Sequence, residues 1–130
     1  MFQTRDQILR AYQDYLACLN ARDWESLPRF VTEDVTRNGL RLGLSGYRAL
    51  LEGDVRAIPD LAFLPSHLAC DPPLLAARLV FDCTPVGGLF GLPVNGRRVR
   101  FTENVFYEYR AGRIAQVWSL IDQAAIEAQL

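Results

Sequence analysis

Two runs of alternating residues near the C-terminal end give the strongest structural signal. They cover 98–110 and 113–122, and aromatic and β-branched residues dominate both. Such runs are typical of β-strands. Ala111 and Gly112 lie between them, and Gly112 can adopt the positive φ that a short hairpin turn requires. The pattern therefore predicts a long β-hairpin.

The hairpin has two faces that alternation assigns. A type I turn, with the glycine as the left-handed residue of a bulge, predicts that Glu103 lies opposite Ser119 on one face, while Trp118 lies on the other. Both faces hold apolar residues, so alternation does not decide which is buried. Glu108 and Gln116 make the second face more polar near the turn. We therefore expect a helix to cover the Glu103/Ser119 face.

The first part of the chain has the spacing of amphipathic helices. Thr4 is followed by Gln7, the arrangement of a capping box that starts a helix. Helical spacing then recurs in the apolar residues Ile8, Ala11, Tyr12, Tyr15, Leu16 and Leu19. We predict a second, short helix over 23–30, irregular at Pro28, and a third that begins at a Ser45 cap.

Shorter strands fill the middle of the chain. A strand and an Asn38-Gly39 turn are predicted within 31–42, and two further strands, through Cys70 and over 75–84, flank an Asp-Pro-Pro turn. A Gly- and Pro-rich link over 85–96 leads into the hairpin. Helices that precede long antiparallel strands predict an α+β fold, with helices packed on a strongly curved antiparallel sheet that leaves a central pocket.

Composition narrows the class of protein. The length of 130 residues suits a single domain over 1–130, half of the residues are apolar, and the formal net charge is −1. A nearly neutral chain does not favour nucleic acid as a partner. The first residues lack an apolar signal core, and no run approaches the roughly 20 apolar residues that cross a bilayer. We therefore expect a cytoplasmic protein without a membrane partner.

The cysteines and the histidine suggest no metal site. Cys18, Cys70 and Cys83 are far apart, no C-x-x-C spacing occurs, and His67 is the single histidine. Neither a zinc site nor a disulfide framework is predicted. We expect buried free thiols, because free cysteine packs as a small hydrophobic residue. His67 has no partner in its predicted strand and is more simply a structural residue than a catalytic one.

Several short motifs share their order and spacing with one known family. They are Asn38-Gly39, Gly46-Tyr47-Arg48-Ala49-Leu50-Leu51, Ile58-Pro59-Asp60-Leu61, Gly91-Leu92-Pro93 with Gly96-Arg97, and Gly112-Arg113-Ile114 followed by Val117-Trp118 and Asp122. From around Asp34 onward the chain resembles the SnoaL-like polyketide cyclases, or ester cyclases, of the NTF2-like superfamily. The resemblance implies a cone-shaped α+β barrel, usually oligomeric, whose cyclase members close rings by intramolecular aldol condensation without metal or cofactor.

The residues that such cyclases use are only partly present. In the family, an aspartate directly after the strand tryptophan acts as acid/base, and a histidine on the neighbouring strand assists it. The corresponding positions here hold Ser119, after Trp118, and Val105. A loop histidine often found ahead of the glycine-rich link is replaced by Pro85. The family's usual mechanism therefore does not transfer directly to this chain.

Two acidic residues are candidates for the missing catalytic groups. Glu103 shares a predicted face with Ser119 among apolar residues, where lost hydration raises a carboxyl pKa toward the range useful for proton transfer. Ser119 can orient a substrate carbonyl. The alternative for Glu103 is a rim position paired with Arg37 or Arg100. Asp122 matches the family's second acid, but it also precedes a short helical segment that an aspartate caps well.

A further set of residues is predicted to contact substrate. The resemblance puts Arg37 and Asn38 near the cavity mouth, although Asn38 also suits an Asn-Gly turn. Tyr15 can cap the cavity from the first helix or pack in the core, and Phe90 can close over the pocket. Trp118 lies on the opposite face from Ser119, and a register that differs by one residue turns it inward.

Two functional hypotheses follow. The leading one is a cofactor-independent cyclase or isomerase that acts on a small, largely apolar carbonyl compound by general acid/base catalysis, with Glu103 as the acid/base. The alternative is a non-catalytic protein that binds a small molecule and has lost the family's Asp/His pair. A hydrolase with a buried Asp-Arg-Asp set, as in NTF2-like epoxide hydrolases, ranks third.

The second face of the hairpin favours an oligomer. It carries Phe106, Trp118 and Leu120. Exposed apolar residues of this size are typical of contacts between subunits, so we predict a homodimer through this face. The chain has no nucleophile elbow, phosphate loop or H-E-x-x-H pattern that points to another class of enzyme.

Overall fold

The computed structural model describes residues 3–130, which form three α-helices, one 3₁₀ helix and six β-strands. In chain order the elements are α1 (Arg5–Asn20), the 3₁₀ helix (Trp24–Arg29), β1 (Val31–Arg37), β2 (Leu40–Arg41), α2 (Gly43–Ala57), β3 (Leu64–Asp71), β4 (Leu74–Cys83), β5 (Val99–Arg110), β6 (Arg113–Ile121) and α3 (Gln123–Glu127). Helices pack on a curved six-stranded sheet, so the predicted α+β class is confirmed.

Helix α1 begins at the predicted capping box. The Thr4 hydroxyl accepts a hydrogen bond from the Gln7 amide at 3.2 Å, and the Gln7 side chain accepts one from the Thr4 amide at 2.9 Å. These two bonds satisfy amides that have no partner within the helix. The apolar stripe faces the core, with buried side chains at Ile8, Tyr12, Tyr15, Leu16, Cys18 and Leu19.

The other two predicted helices form with differences. Pro28 has no amide hydrogen to donate, and the second segment is a 3₁₀ helix and not an α-helix. Helix α2 begins at Gly43, where φ is +68°, ahead of the predicted Ser45 cap. Ser45 lies inside the first turn of the helix, so the prediction that it caps the helix was wrong.

The six strands pair in the order β2-β1-β6-β5-β4-β3. All pairs are antiparallel except β1–β6, which is parallel, so the sheet is mixed and not wholly antiparallel as predicted. Parallel neighbours need a long crossover, and here the chain from β2 to β5 lies between them. The local pattern of each strand carries no information about a pairing over such a separation.

The β5–β6 hairpin is present as predicted, but its register differs. Ala111 and Gly112 both have positive φ, at 49° and 88°, so the strands connect through a two-residue turn of the I′ kind in place of the predicted type I turn. A bulge early in β6 then shifts the pairing further. Glu103 consequently lies opposite Ile121 and not opposite Ser119.

The difference in register does not change which residues share a face. The shift amounts to two residues, and side chains alternate with a period of two. Glu103 and Ser119 therefore remain on one face, and their neighbours Val105 and Tyr107 are buried. The prediction of the covered face is confirmed. Ile114 is an exception, since the bulge brings this residue, predicted on the outer face, into the core.

The core lies between the helices and the inner face of the sheet. Cys18 and Cys83 are buried free thiols as predicted, whereas Cys70 is only partly buried. The outer face of the hairpin leaves Phe106 and Trp118 exposed to solvent. Within residues 3–130, no helix is both long and apolar enough to cross a membrane.

Candidate active site

Helix α2, the inner face of the sheet and the loop before β5 enclose two adjoining chambers. The outer chamber has a volume of about 180 Å³, and its lining comprises Arg37, Leu50, Asp54, Ile58, Leu61, Phe63, Phe81, Leu89, Phe90, Phe101, Glu103 and Ile121. The inner chamber has a volume of about 40 Å³, and its lining comprises Tyr15, Leu19, Arg37, Tyr47, Leu50, Leu51, Asp54, Phe63, Leu79, Glu103, Val105, Tyr107 and Val117. The charged residues Arg37, Asp54 and Glu103 line both chambers.

Two larger depressions lie elsewhere on the molecule. One, of about 460 Å³, lies between the 3₁₀ helix and α2, and the other, of about 400 Å³, lies beside the β5–β6 turn. Neither is lined by a buried carboxyl group, and Glu33 in the first is exposed. Volume alone does not mark a catalytic site, whereas buried titratable groups in a concave site do. We therefore assign the candidate site to the two chambers.

Glu103 is the most buried carboxyl group of the site. It belongs to β5 and accepts a hydrogen bond from the Ser119 hydroxyl, its diagonal neighbour across the hairpin. Burial raises the pKa of Glu103, while the bond from Ser119 and the charge of Arg37 act in the opposite direction. The predicted acid thus faces the cavity, and the predicted contact with Ser119 exists despite the different register.

Asp54 is a second carboxyl group that the sequence analysis missed. Lost hydration raises the pKa of Asp54 to about 6, the charge of Glu103 adds to the rise, and Arg37 opposes it. Its side chain still reaches solvent, which screens part of this effect, so Asp54 stands at the mouth of the cavity. The negative charge of ionised Glu103 contributes to the raised pKa of Asp54, so the titrations of the two groups are coupled.

The position of Asp54 does have a signal in the sequence. Tyr47, Leu51, Asp54 and Ile58 follow the spacing of one helix face, and the three others are buried. An acidic residue on the apolar face of a helix loses hydration unless it lines a cavity or finds a partner. Such an acid is therefore a candidate functional residue, and we did not weigh it among the apolar residues of this helix.

Arg37 ends strand β1 and supplies the positive charge of the site. It lines both chambers, and its charge favours the ionised form of Glu103 and of Asp54. An arginine keeps its charge at every physiological pH. The arrangement is therefore a pair of carboxyl groups that share one permanent cation, which limits the energy cost of ionising either acid in an apolar cavity.

Buried tyrosines form the wall of the inner chamber. The hydroxyl oxygens of Tyr15 and Tyr47 lie 2.7 Å apart, and the Tyr12 hydroxyl donates to that of Tyr107 at 3.2 Å. Burial raises the pKa of Tyr47 to about 12 and moves those of Tyr15 and Tyr107 well above the ordinary value. These hydroxyls therefore keep their protons at neutral pH and can donate hydrogen bonds. The predicted residue Tyr15 belongs to this wall.

Phe90 stands at the entrance to the outer chamber. Its backbone φ is 51°, its side chain is 41% exposed, and its ring meets that of Phe101 edge-on with centroids 6.4 Å apart. It is the aromatic residue of the loop before β5, at the position predicted to close over the pocket. An exposed phenyl ring at a cavity mouth gives an entering apolar ligand a surface to pack against.

Four predicted site residues are not part of the lining of either chamber, and one of them, Ser119, still contacts Glu103 through its hydroxyl group. Trp118 faces Phe106 on the outer surface of the hairpin, so its assignment to the substrate site is corrected. Asp122 is exposed and caps α3, where its carboxylate accepts a hydrogen bond from the Ala125 amide at 3.1 Å. The structure thus favours the capping role that the sequence left open.

Asn38 also lies outside the lining of both chambers. It has a φ of 50°, which an Asn-Gly turn accommodates. Its side-chain oxygen accepts a bond from the Ser119 amide at 2.8 Å, and its nitrogen donates to the Ser119 carbonyl at 3.3 Å. Asn38 therefore ties β1 to β6 and holds the backbone of the residue whose hydroxyl reaches Glu103.

The chemistry available is proton transfer in a largely apolar cavity. Two carboxyl groups with raised pKa values stand beside a fixed cation, hydroxyl donors line one side, and phenyl rings line the other. Such groups suit general acid/base catalysis near neutral pH. Within residues 3–130, no cluster of three or more His, Cys, Asp or Glu residues is placed to hold a metal ion.

Comparison with known proteins identifies relatives over almost the whole chain. The SnoaL-like polyketide cyclase family matches residues 9–130. A SnoaL-like polyketide cyclase from Agrobacterium tumefaciens is 48% identical, with a TM-score of 0.93 over 94% of this chain and 96% of that chain. A search of curated proteins finds no match.

Two more distant structures share the fold. TsrD from Streptomyces laurentii is 23% identical, with a TM-score of 0.85 over 98% of this chain and 96% of its own. IdmH from Streptomyces antibioticus is 21% identical, with a TM-score of 0.82 over 95% of this chain and 97% of its own. The family match covers α2 and the strands that build the cavity, as well as most of α1. The chain belongs to the SnoaL-like polyketide cyclase family.

Proposed function

We propose that the protein is a cofactor-independent cyclase or isomerase that transfers protons on a small, largely apolar carbonyl compound, with Glu103 as the acid/base. The observation that carries the proposal is the position of Glu103 between a phenyl-lined chamber and a hydroxyl-lined one. Burial raises its pKa, so the carboxylate is a stronger base than an exposed glutamate. A base in an apolar cavity suits removal of a proton from the carbon beside a carbonyl group.

Asp54 is the second group of the proposed reaction. Its pKa of about 6 lets it hold a proton when Glu103 is ionised, and it stands at the mouth where it can exchange protons with water. One carboxyl group then takes a proton from substrate while the other supplies one. Ser119 orients the Glu103 carboxylate through its hydroxyl group and plays the part of a positioning residue.

An assay of proton transfer tests the proposal without a known substrate. Cyclohexanone and 1,3-cyclohexanedione exchange the hydrogens beside their carbonyl groups for deuterium in heavy water, and NMR follows the rate. We expect the native protein to accelerate exchange and Glu103→Gln to lose roughly 10²- to 10⁴-fold of that acceleration. Glu127→Gln, on the exposed face of α3, is the matched control and should keep the native rate. A Glu103→Gln variant as fast as the native protein would falsify the proposal.

A non-catalytic binding role is the second candidate. It is favoured by the positions that hold Ser119 and Val105, since these replace the acid and the histidine that cyclases of the family use. A protein of this kind binds small ketones but exchanges none of their hydrogens faster than buffer does. Saturable binding of cyclohexanone, together with deuterium exchange no faster than in buffer, would support this role.

A hydrolase is the third candidate, and the acid–arginine–acid set gives it support. Asp54, Arg37 and Glu103 line the cavity together, and the inner chamber has room for a water molecule. A carboxylate can activate such a water toward an epoxide. Incubation with styrene oxide in ¹⁸O-labelled water tests this role, since enzymatic formation of labelled diol above the buffer rate would favour a hydrolase over a cyclase or isomerase.

We also propose that two chains associate through the outer face of the hairpin. Phe106, Trp118 and Leu120 there are 53%, 38% and 73% exposed. Light scattering should give a mass of twice 14.7 kDa, and Phe106→Arg with Leu120→Arg should give a monomer. Val86→Arg, at an exposed loop position, is the control. A native protein that is monomeric at every concentration would contradict this proposal.

A further inference from the structure

The inner chamber has the size and lining of a site for one polar atom. Its volume of about 40 Å³ exceeds the roughly 10–15 Å³ that one water molecule needs but excludes a carbon ring. Three tyrosines, Tyr15, Tyr47 and Tyr107, contribute to its wall, and all are buried. A small cavity with three tyrosines in its wall suits an oxygen atom that accepts hydrogen bonds.

The hydroxyl oxygens of Tyr15 and Tyr47 lie 2.7 Å apart and share one hydrogen bond, in which either hydroxyl can be the donor. Each hydroxyl has one proton, so this bond uses one of the two protons and the other stays available for a guest in the chamber. Tyr47 belongs to α2, the helix whose Asp54 lines both chambers, and we therefore take Tyr47 as the hydroxyl that donates to the guest.

We propose that the inner chamber binds the carbonyl oxygen of an enolisable, single-ring substrate through a hydrogen bond from Tyr47, while the ring of the substrate occupies the outer chamber. This inference rests on the proposed function and adds the substrate class and the group that recognises its oxygen. The outer chamber, at about 180 Å³, is close to the 150 Å³ of an apolar cavity that accommodates benzene. A single six-membered ring therefore fits inside the outer chamber.

Charge balance in the cavity supports the same assignment. Glu103 takes the proton from the substrate carbon and the C–H bond breaks. The electron pair of that bond forms a carbon–carbon double bond, and the π electron pair of the carbonyl group moves to its oxygen to give an enolate. The negative charge thus passes from Glu103 to the oxygen in the inner chamber, and the total charge of the cavity does not change. Arg37 lines both chambers and faces the charge before and after transfer. Tyr47 donates to the oxygen more strongly once it is negative.

Binding of a phenolate tests the proposal independently of turnover. The probe is 4-nitrophenol, a single ring whose oxygen resembles an enolate oxygen and whose ionisation changes its absorbance. We expect Tyr47→Phe to weaken binding about 10- to 100-fold, because a hydrogen bond to a charged acceptor is lost. We expect Glu103→Gln to strengthen phenolate binding, because a competing negative charge leaves the cavity. These two opposite effects distinguish the oxygen site from a general loss of the cavity.

Controls keep the outcome decisive. Tyr109→Phe is the matched control, since Tyr109 is a buried tyrosine of β5 that lines the depression beside the hairpin turn and neither chamber. The affinity of this variant for 4-nitrophenol should stay within about twofold of that of the native protein. Tyr15→Phe removes the hydroxyl that orients Tyr47 and should weaken binding less than Tyr47→Phe does. Native affinity in Tyr47→Phe overturns the proposal, and if that variant does not fold, native affinity in Tyr15→Phe overturns it. Failure of 4-nitrophenol to bind the native protein at millimolar concentration also overturns it.

The proposed function can fail separately. If Glu103→Gln retains deuterium exchange while Tyr47→Phe weakens phenolate binding, the oxygen site stands and the base has been assigned to the wrong residue. If Glu103→Gln abolishes exchange while Tyr47→Phe binds as the native protein does, the base stands and the oxygen site is wrong.

Discussion

Carboxylates on adjacent strands of this sheet have pKa values shifted in opposite directions. On β4, Asp82 accepts two hydrogen bonds from Arg98, at 2.7 and 3.1 Å, and this pairing holds the pKa of Asp82 below its ordinary value. On β5, Glu103 has a hydroxyl partner and lies in the cavity, and burial raises its pKa. The direction of the shift separates a carboxylate that serves as a surface ion from one that can take up a proton.

A second surface acid behaves like Asp82. Asp34 accepts a hydrogen bond from Arg110 at 2.6 Å, and its pKa is also lowered. Exposed ion pairs of this kind contribute little to stability because water and salt screen them. Asp54 behaves like Glu103, although it stands nearer to solvent. Asp34 and Asp82 are thus surface acids with close arginine partners, whereas Glu103 and Asp54 are cavity acids that share the more distant Arg37.

The largest expected effect is the loss of turnover in Glu103→Gln. We expect this loss to be partly reversed when a carboxyl group is placed at position 119 on the same face. Ser119→Asp in a Glu103→Gln background puts a carboxylate on the same face, at a diagonal neighbour in the hairpin. We expect the double variant to recover at least about tenfold of the activity lost by Glu103→Gln, because the base returns to the cavity. The measurement is kcat/KM or the deuterium exchange rate.

Its control is a carboxyl group added on the other face. Asn104→Asp in the same background puts an acid on the exposed face of β5 and should recover nothing. Equal recovery of activity by both double variants would show that the carboxyl group need not lie on the inner face. That result would contradict the assignment of the base to the cavity.

A smaller effect is expected from Asp54→Asn, in the pH dependence of the rate. Protonated Asp54 is lost as the pH rises through about 6, so the native rate should fall over that range if Asp54 supplies a proton. The rate of the variant should not fall over this pH range, and below pH 6 it should be about tenfold lower than the native rate. A pH–rate profile of kcat/KM checks both points. An unchanged profile would remove Asp54 from the mechanism.

Opposite effects on stability are expected from the two kinds of acid. The folded pKa of Glu103 is above its unfolded value, so its contribution to stability is present at low pH and is lost as the pH rises. Glu103→Gln should therefore raise Tm at pH 7, with the gain shrinking below the ordinary pKa of 4.5. Asp82→Asn should lower Tm at pH 7, and this loss should vanish as the pH falls, because its folded pKa is lowered. Thermal unfolding at several pH values checks the signs.

The smallest effect is expected from Asp34→Asn. Removing one side of the pair with Arg110 should lower Tm slightly at low salt. The difference from the native protein should disappear at 1 M salt, where charges are screened within about 3 Å. A decrease in Tm that persists at high salt would show that Asp34 acts through more than its charge.

The structural features that could be predicted from the sequence are those set by residues close together in the chain. The Thr4–Gln7 capping box and the apolar stripe of α1 are local features, and both are confirmed. The faces of β5 and β6 follow from alternation and are also confirmed, except at Ile114 beside the bulge. The turn was misassigned because Ala111 adopts a positive φ that its residue type rarely takes, and this changed the register.

The parts that could not be predicted depend on distant residues. The parallel pairing of β1 with β6 and the bond between Tyr15 and Tyr47 join segments that no local pattern connects. Asp54 was missed for a different reason, since a single acid among helical residues is usually solvated. The inward direction of Glu103 was predicted from the face it shares with Ser119, and its partner in the hairpin was not.

The most direct test of the account is a titration of the Glu103 and Asp82 carboxyl carbons by NMR in protein labelled with ¹³C-glutamate and ¹³C-aspartate, assigned with Glu103→Gln and Asp82→Asn. The account predicts a midpoint above the ordinary value of 4.5, with Asp82 in the same protein titrating below its ordinary value of 3.8. A Glu103 midpoint at or below 4.5 would mean that the carboxylate is well solvated or firmly paired, and the proposed base would be lost.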